Sequence, residues 1–314
     1  MRAVLVVNPK ATTTNERSRD VLVRALRSEV DLAVRYTRRR GHGAALAREA
    51  VRDGVDLVVT LGGDGTVNEV VNGLMSAHPA GSDSEPLAHR LPALAVVPGG
   101  STNVFARALG LPREWADGTS VILDSLRAGR SRTIGLGRAD ERYFTFCAGF
   151  GLDAAVVRRV ERARHRGRVS SPTLYLSAFL RQYLVGPERR QPSIALERPD
   201  ERADDLATVI VQNTAPWTFI GDRPLHPNPH ASFDLGLDVF AIRRLHVPSA
   251  TRTVTQVLRG HPDPHGGQLL RLHDLDEFTL VAARPQAFQL DGDYLGERDK
   301  VRFTSVTKAL RVIC

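Results

Sequence analysis

The apolar positions of this chain follow two successive rhythms. In the first, short continuous apolar runs alternate with stretches of helical spacing. Ala3 to Val7, Leu32 to Tyr36, the run from Leu57 and Leu94 to Val97 read as buried strands. Between them, Val21, Leu22, Ala25 and Leu26 share one helical face, and helices are expected from about Ala44 to Arg52 and through Val67, Val70, Val71, Leu74 and Met75. A short helix from Thr102 to Leu109 is stopped by Gly110 and Pro112, and another spans about Ser120 to Ala128. Strands alternating with helices predict a parallel sheet with crossover helices. The Pro-, Gly- and Ser-rich stretch from His78 to Arg90 reads as a surface insertion.

Beyond Arg130 the rhythm changes. Thr133 to Leu136, Tyr143 to Ala148, Ser193 to Glu197, Ala207 to Gln212, Leu237 to Ile242, Glu277 to Ala282 and Ala287 to Leu290 are short β-branched or aromatic segments separated by turns. They predict an antiparallel β domain. A helical insertion interrupts it, from Ala154 to Arg164 and again from Pro172 to Leu184, with a basic break between. The expected organisation is an α/β domain over residues 1–132, an all-β domain over 133–300, and a strand-like terminal segment, 301–314, that returns to the first domain.

The stretch LVVTLGGDGTVNEVVNGLM, Leu57 to Met75, concentrates the chemistry. A strand ends in Gly62, Gly63, Asp64 and Gly65, and a helix follows. Thr66 is the expected N-cap, with Glu69 three residues on completing a capping box. Glycines let backbone N–H groups approach an anion closely, and a helix N-terminus favours negative charge, so phosphate is the expected guest. A carboxylate inside such a turn would repel phosphates unless a divalent cation, Mg²⁺, lies between. A plain glycine-rich connection offers no packing reason for that aspartate. In a parallel sheet, the turns at Asn8, Gly62 and Gly99 fall on one edge, where ligands bind.

Composition narrows the setting. No apolar run approaches the ~18 residues of a membrane span, and the opening MRAVLVVNPK reads as a strand rather than a signal peptide, so a cytoplasmic protein is expected. Two cysteines, Cys147 and Cys314, argue against a disulfide framework. The net charge of +8 favours anionic partners: nucleic acid, anionic lipid or nucleotide phosphates. Its basic residues are not interleaved with aromatics in a nucleic-acid module, so no nucleic-acid partner is expected. The basic stretch from Arg158 to Arg168 with the apolar helix after it is the expected lipid-access face.

The combination of LGGDGTVNEVVNGL, PGGSTNVFARALGLP, AGFGLDAAVV and the late LDGD, in this order along nearly the whole chain, resembles the soluble bacterial diacylglycerol kinase and lipid kinase family. That resemblance implies an N-terminal nucleotide-binding α/β domain, a C-terminal β-sandwich and a cleft where ATP, with Mg²⁺, meets a lipid hydroxyl at a membrane surface. It places ATP contacts on Asn8, Pro9, Lys10, Ala11, Thr12, Thr37, Gly62, Gly63, Asp64, Gly65, Thr66, Val67, Asn68 and Ser101. The family's late acidic pair corresponds to Asp291 and Asp293. Asp293 takes the general-base role and Asp291 an orienting or metal-assisting one, with Asp64 joining them as the metal-bearing acid. Asp153 is either a helix cap or a positioning group. Two departures weaken the family's second Mg²⁺ site: Val104 follows Asn103 where relatives carry aspartate, and Leu235 replaces an acid, leaving Asp234 one residue early. The competing readings are an NAD kinase using the same glycine turn, and a nucleotide-gated lipid-binding protein without turnover. Self-association into a homodimer is left open.

Overall fold

A computed structural model describes residues 1–10, 15–77, 87–166, 174, 177–179, 181–182, 192–259 and 263–314. They divide into two compact units, Met1–Leu136 with Thr307–Cys314, and Gly137–Val306. The division falls inside a strand, β5, Arg132–Ala139.

The first unit is built on four parallel strands: β1, Arg2–Val7; β2, Asp31–Tyr36; β3, Leu57–Gly62; and β4, Ala93–Pro98. Their order is β4-β3-β1-β2, and Val312 and Ile313 at the end of the chain add a further parallel partner beside Leu94 and Ala95. Every residue of β3 and β4 is buried, as strands covered on both faces require, which is why they read as unbroken apolar runs. The connecting helices are α1, Glu16–Arg27; α2, His42–Arg52; α3, Asp64–Ser76; α4, Leu87–Arg90; α5, Val104–Ala108; and α6, Trp115–Arg127. Helices α2 and α3 cross in close contact. A Cβ on Gly73 would lie 2.4 Å from the Ala44 carbonyl oxygen and 2.7 Å from the Ala47 Cβ, so only glycine permits this approach.

The second unit is antiparallel. Its strands are β6, Arg142–Phe144; β7, Cys147–Gly151; β8, Ile194–Glu197; β9, Arg202–Leu206; β10, Thr208–Gln212; β11, Thr218–Ile220; β12, Arg223–Leu225; β13, Leu237–Ile242; β14, Leu269–Leu275; β15, Glu277–Leu290; and the start of β16, Asp293–Ile313. The order β14-β13-β10-β7-β15-β16 is antiparallel throughout. Strand β15 changes partners midway. Residues 279–282 pair with β8 and 288–290 with β7, with a register shift between Val281 and Gln286. This break separates the two segments that the sequence reads as distinct strands, and it bends the sheet around one core. Phe144, Phe150, Phe278, Phe288 and Phe303 fill that core, with Phe278 and Phe303 stacked at 5.2 Å. Its helices include α7, Leu152–His165, and α8, Val247–Val257, and residues 177–179 and 181–182 are also helical. Pattern reading misses α8 and strands β9, β11, β12 and β14. Most of the expected helix from Pro172 to Leu184 lies outside the described residues.

Replacing Gly73 with valine should force α2 and α3 apart and lower the stability of the first unit by about 1–3 kcal/mol. Thermal melts of the two proteins check this, the variant melting several degrees earlier.

Candidate active site

In the first unit, the parallel register brings four strand ends to one edge. Beyond the strands the ladder continues: the Asn8 N–H donates to the Leu61 carbonyl, the Thr37 N–H to the Val7 carbonyl and the Gly99 N–H to the Gly62 carbonyl, each at 2.9 Å. Asn8, Thr37, Gly62 and Gly99 therefore stand side by side at the carboxyl ends of the strands, as their placement in the sequence predicts.

The two glycine turns form a single built feature. A Cβ on Gly100 would come within 2.7 Å of the Gly63 Cα, so the turns meet backbone to backbone. Asp64 ties them together. Its two carboxylate oxygens accept the N–H groups of Val104 (3.0 Å) and Phe105 (3.1 Å), the unpartnered donors at the start of α5. Asp64 thus has a structural reason to be acidic that the linear sequence does not reveal. Asn103 locks the second turn from inside. In left-handed conformation (φ 52°), its side chain accepts from the Gly100 N–H and donates to the Gly100 carbonyl, both at 2.8 Å.

The capping box is overturned. Helix α3 begins at Asp64, with Gly63 as N-cap and no side-chain cap bond. The Thr66 N–H already donates to the Gly63 carbonyl (2.9 Å), and its hydroxyl accepts from Asn8 Nδ2 (3.2 Å). Glu69 instead caps the neighbouring helix, accepting from Gly41 (2.6 Å) and Gly43 (2.9 Å) at the start of α2. An uncapped helix N-terminus such as that of α3 favours negative charge. Val67 and Asn68 are 1% exposed and stand behind the turn, with almost no surface of their own. Ser101 is exposed, Pro9 and Lys10 are exposed at the end of β1, and the Lys10 N–H donates to Asn8 Oδ1 (3.0 Å). Ala11 and Thr12 lie outside the described residues.

The second unit holds the late acids on a tight hairpin. Leu290 pairs with Asp293, and both intervening residues have positive φ, Asp291 at 48° and Gly292 at 81°, the conformation that an Asp-Gly pair adopts in a two-residue turn. Asp291 is buried, and its carboxylate accepts four hydrogen bonds: from Thr145 N–H (2.7 Å), Thr145 Oγ1 (2.9 Å), Phe146 N–H (3.0 Å) and Cys147 N–H (3.2 Å). These fill the acceptor capacity of a carboxylate. Asp291 anchors the turn. The Gly292 N–H donates to Gln289 Oε1 (2.9 Å), and the Tyr294 N–H to Glu161 Oε1 (3.1 Å) of α7. Asp293, half-buried, is therefore fixed from both sides.

Asp153, the second residue of α7, is not the helix cap. Gln289 Nε2 donates to its Oδ2 at 2.9 Å, and the carboxylate packs where a Cβ on Gly149 would stand. The residue keeps some exposed surface, but its carboxylate is enclosed by protein, and this desolvation pushes its pKa up to about 6 against the smaller opposing pull of the Gln289 amide.

The remaining expectations fare differently. Asp234 is exposed, its N–H donating to Ser232 Oγ (3.3 Å), and among the described residues no group of three or more His, Cys, Asp or Glu side chains is placed to hold a metal. On the expected lipid-access face, Arg158 donates to Glu297 (2.8 Å) and lies over the Tyr294 ring, while Ala178 packs on Val156 and Val160, so these residues serve the unit's own packing. No helix among the described residues is long and apolar enough to cross a membrane.

Comparison with known proteins gives a consistent picture. Residues 2–139 match the diacylglycerol kinase catalytic domain family. A diacylglycerol kinase of Bacillus subtilis (strain 168) is 36% identical over 298 residues, covering 94% of this chain and 90% of the relative. One from Staphylococcus haemolyticus is 32% identical over 132 residues, covering 42% of this chain and 36% of the relative. The fold is similar to that of a crystal structure of a diacylglycerol kinase from Bacillus anthracis str. Sterne, with a TM-score of 0.72 at 18% identity over 99% of this chain and 96% of that one.

Two outcomes are expected. Asp291→Asn turns an amide N–H towards backbone donors and should destabilise the second unit by about 3 kcal/mol, read from denaturant melts. For Asp153, the raised pKa means that the fold favours the neutral acid. Its favourable contribution is complete below the ordinary value of 3.8 and is lost as pH rises through about 6. Asp153→Asn should therefore gain roughly 3 kcal/mol on the parent protein between those limits, in melts taken across that pH range.

Proposed function

This chain belongs to the diacylglycerol kinase family, and on that premise we propose that it transfers the γ-phosphoryl group of ATP to the free hydroxyl of diacylglycerol, giving phosphatidic acid. The observation that carries the proposal is the pair of glycine turns clamped together by Asp64 at the carboxyl edge of a parallel sheet, with the N-terminus of α3 uncapped by any side chain.

In this reading the ATP phosphates rest on the glycine turn from Gly62 through Gly65, beside the Thr66 side chain, and on Ser101. Asn8, Pro9, Lys10 and Thr37 line the adjoining strand ends, while Val67 and Asn68 support the cradle from beneath. Asp64 holds the cradle's shape and is the acid that would face a cation arriving with the nucleotide. Mg²⁺, arriving with the nucleotide, would neutralise charge developing between the phosphates. The described residues supply no cage of three or more ligating side chains, so the phosphates would be its principal ligands.

Asp293 takes the proton of the acceptor hydroxyl as its oxygen bonds to the γ-phosphorus and the bond to the β-phosphate oxygen breaks, releasing ADP. A base on a loose turn would lose this geometry. Here Asp291 fixes the turn through four bonds, and Gln289 fixes Gly292.

Asp293→Asn should lower kcat by about 10²–10⁴-fold with the dissociation constant for ATP unchanged, measured by single-turnover phosphoryl transfer and by equilibrium nucleotide binding. Retained turnover in this variant would move the base elsewhere.

A further inference from the structure

Helix α8 packs Ala250 on its unit's own apolar cluster but also buries polar side chains and exposes apolar ones. It buries Thr253 and Gln256, the latter accepting from the His265 N–H (3.2 Å), and sends Val247, 52% exposed, and Val254, 44% exposed, to the surface. Val247, Thr251, Val254 and Leu258 follow one another at intervals of four, three and four residues and so form one stripe along the helix. The first three are exposed and Leu258 is half-buried. A helix serving only its own unit's core would turn this stripe inward.

Its border is arginine. Arg244 precedes the helix, Arg252 lies within it and Arg259 follows it, all exposed. Among the described residues none of these three makes an ion pair. No Asp or Glu occurs between Asp238 and Asp263. Along its own segment the stripe is therefore flanked by one sign of charge, Asp263 on the neighbouring segment being paired with Arg271, and the long aliphatic stems can lie along an apolar surface while their charged ends reach phosphate.

We propose that this face docks on an anionic bilayer, α8 lying in the plane of the headgroups with Val247 and Val254 in the acyl boundary and the three arginines on lipid phosphates. The chemistry separates this occupant from the alternatives. A second copy of the chain would set three arginines against their own counterparts, an arrangement that repels. An anionic lipid surface satisfies stripe and border together. The proposal rests on the lipid kinase reading only in its purpose, since a diacylglycerol acceptor must be collected from a membrane.

The full chain, sedimented with phosphatidylcholine vesicles with or without phosphatidylglycerol, tests it. Binding should require the anionic lipid and weaken as ionic strength rises. The triple variant Arg244→Glu, Arg252→Glu, Arg259→Glu should lose about a hundredfold or more in partition coefficient. The double variant Val247→Asp, Val254→Asp should lose about tenfold or more. Because all five side chains are exposed, melting temperatures should hold, which separates lost docking from lost folding. Undiminished vesicle binding in both variants would overturn the proposal, as would equal binding of the parent protein to neutral vesicles. A dimer that the valine variant dissolves, without vesicle binding by the parent, would overturn it in favour of a second copy. Turnover of a water-soluble short-chain diacylglycerol reports separately. Docking lost with that turnover retained supports both readings, and docking intact with no turnover in any form supports docking while failing the kinase proposal.

Discussion

Two hydrogen bonds, from the N–H groups of Val104 and Phe105 to the carboxylate of Asp64, hold the first unit's chemistry in place. Without them the two glycine turns would be joined only through the ladder bond from Gly99 to Gly62 at their base. With them, Gly63 and Gly100 are pressed together and the end of β3 and the start of α5 become one surface. The same residue discharges a second need. The N-terminus of α5 has donors without helical partners, and Asp64 satisfies two of them from outside the helix.

The second unit repeats this logic with different parts. There too a carboxylate anchors a turn by accepting backbone N–H groups from a distant segment, Asp291 gathering residues 145–147 beneath the hairpin. In the proposed reaction Asp293, two residues beyond this anchor, is the group offered for chemistry. Buried acceptors with several donors each make rigid mounts, and rigid mounts let small groups such as a single carboxylate act at defined positions. The reactive chemistry of the account is thus supported by acids whose own function is geometric.

Much of the framework was legible in the sequence. Strands β1, β3 and β4 are buried on both faces, so they appear as continuous apolar runs bounded by turn residues, and the glycine turns follow directly from them. The Asp-Gly hairpin was legible for the same local reason. What escaped depends on distance or exposure. Asp64 and Asp291 find their partners 40 or more positions away along the chain, beyond any local pattern. Thr66 and Glu69 have the spacing of a capping box, but Glu69 is claimed by α2, and the helix begins two residues before Thr66. Strand β9, Arg202–Leu206, is mostly exposed and charged, and so lacks the alternation that marks a strand. Helix α8 escaped because its outward valines and inward threonine invert the usual amphipathic signal.

The identity of the acceptor is decided by γ-labelled ATP and Mg²⁺ offered to the full chain with diacylglycerol in anionic vesicles and, in parallel, with NAD. A diacylglycerol kinase puts label in phosphatidic acid and none in NADP; label in NADP, or none in any lipid while the protein remains folded and binds ATP, would overturn that assignment.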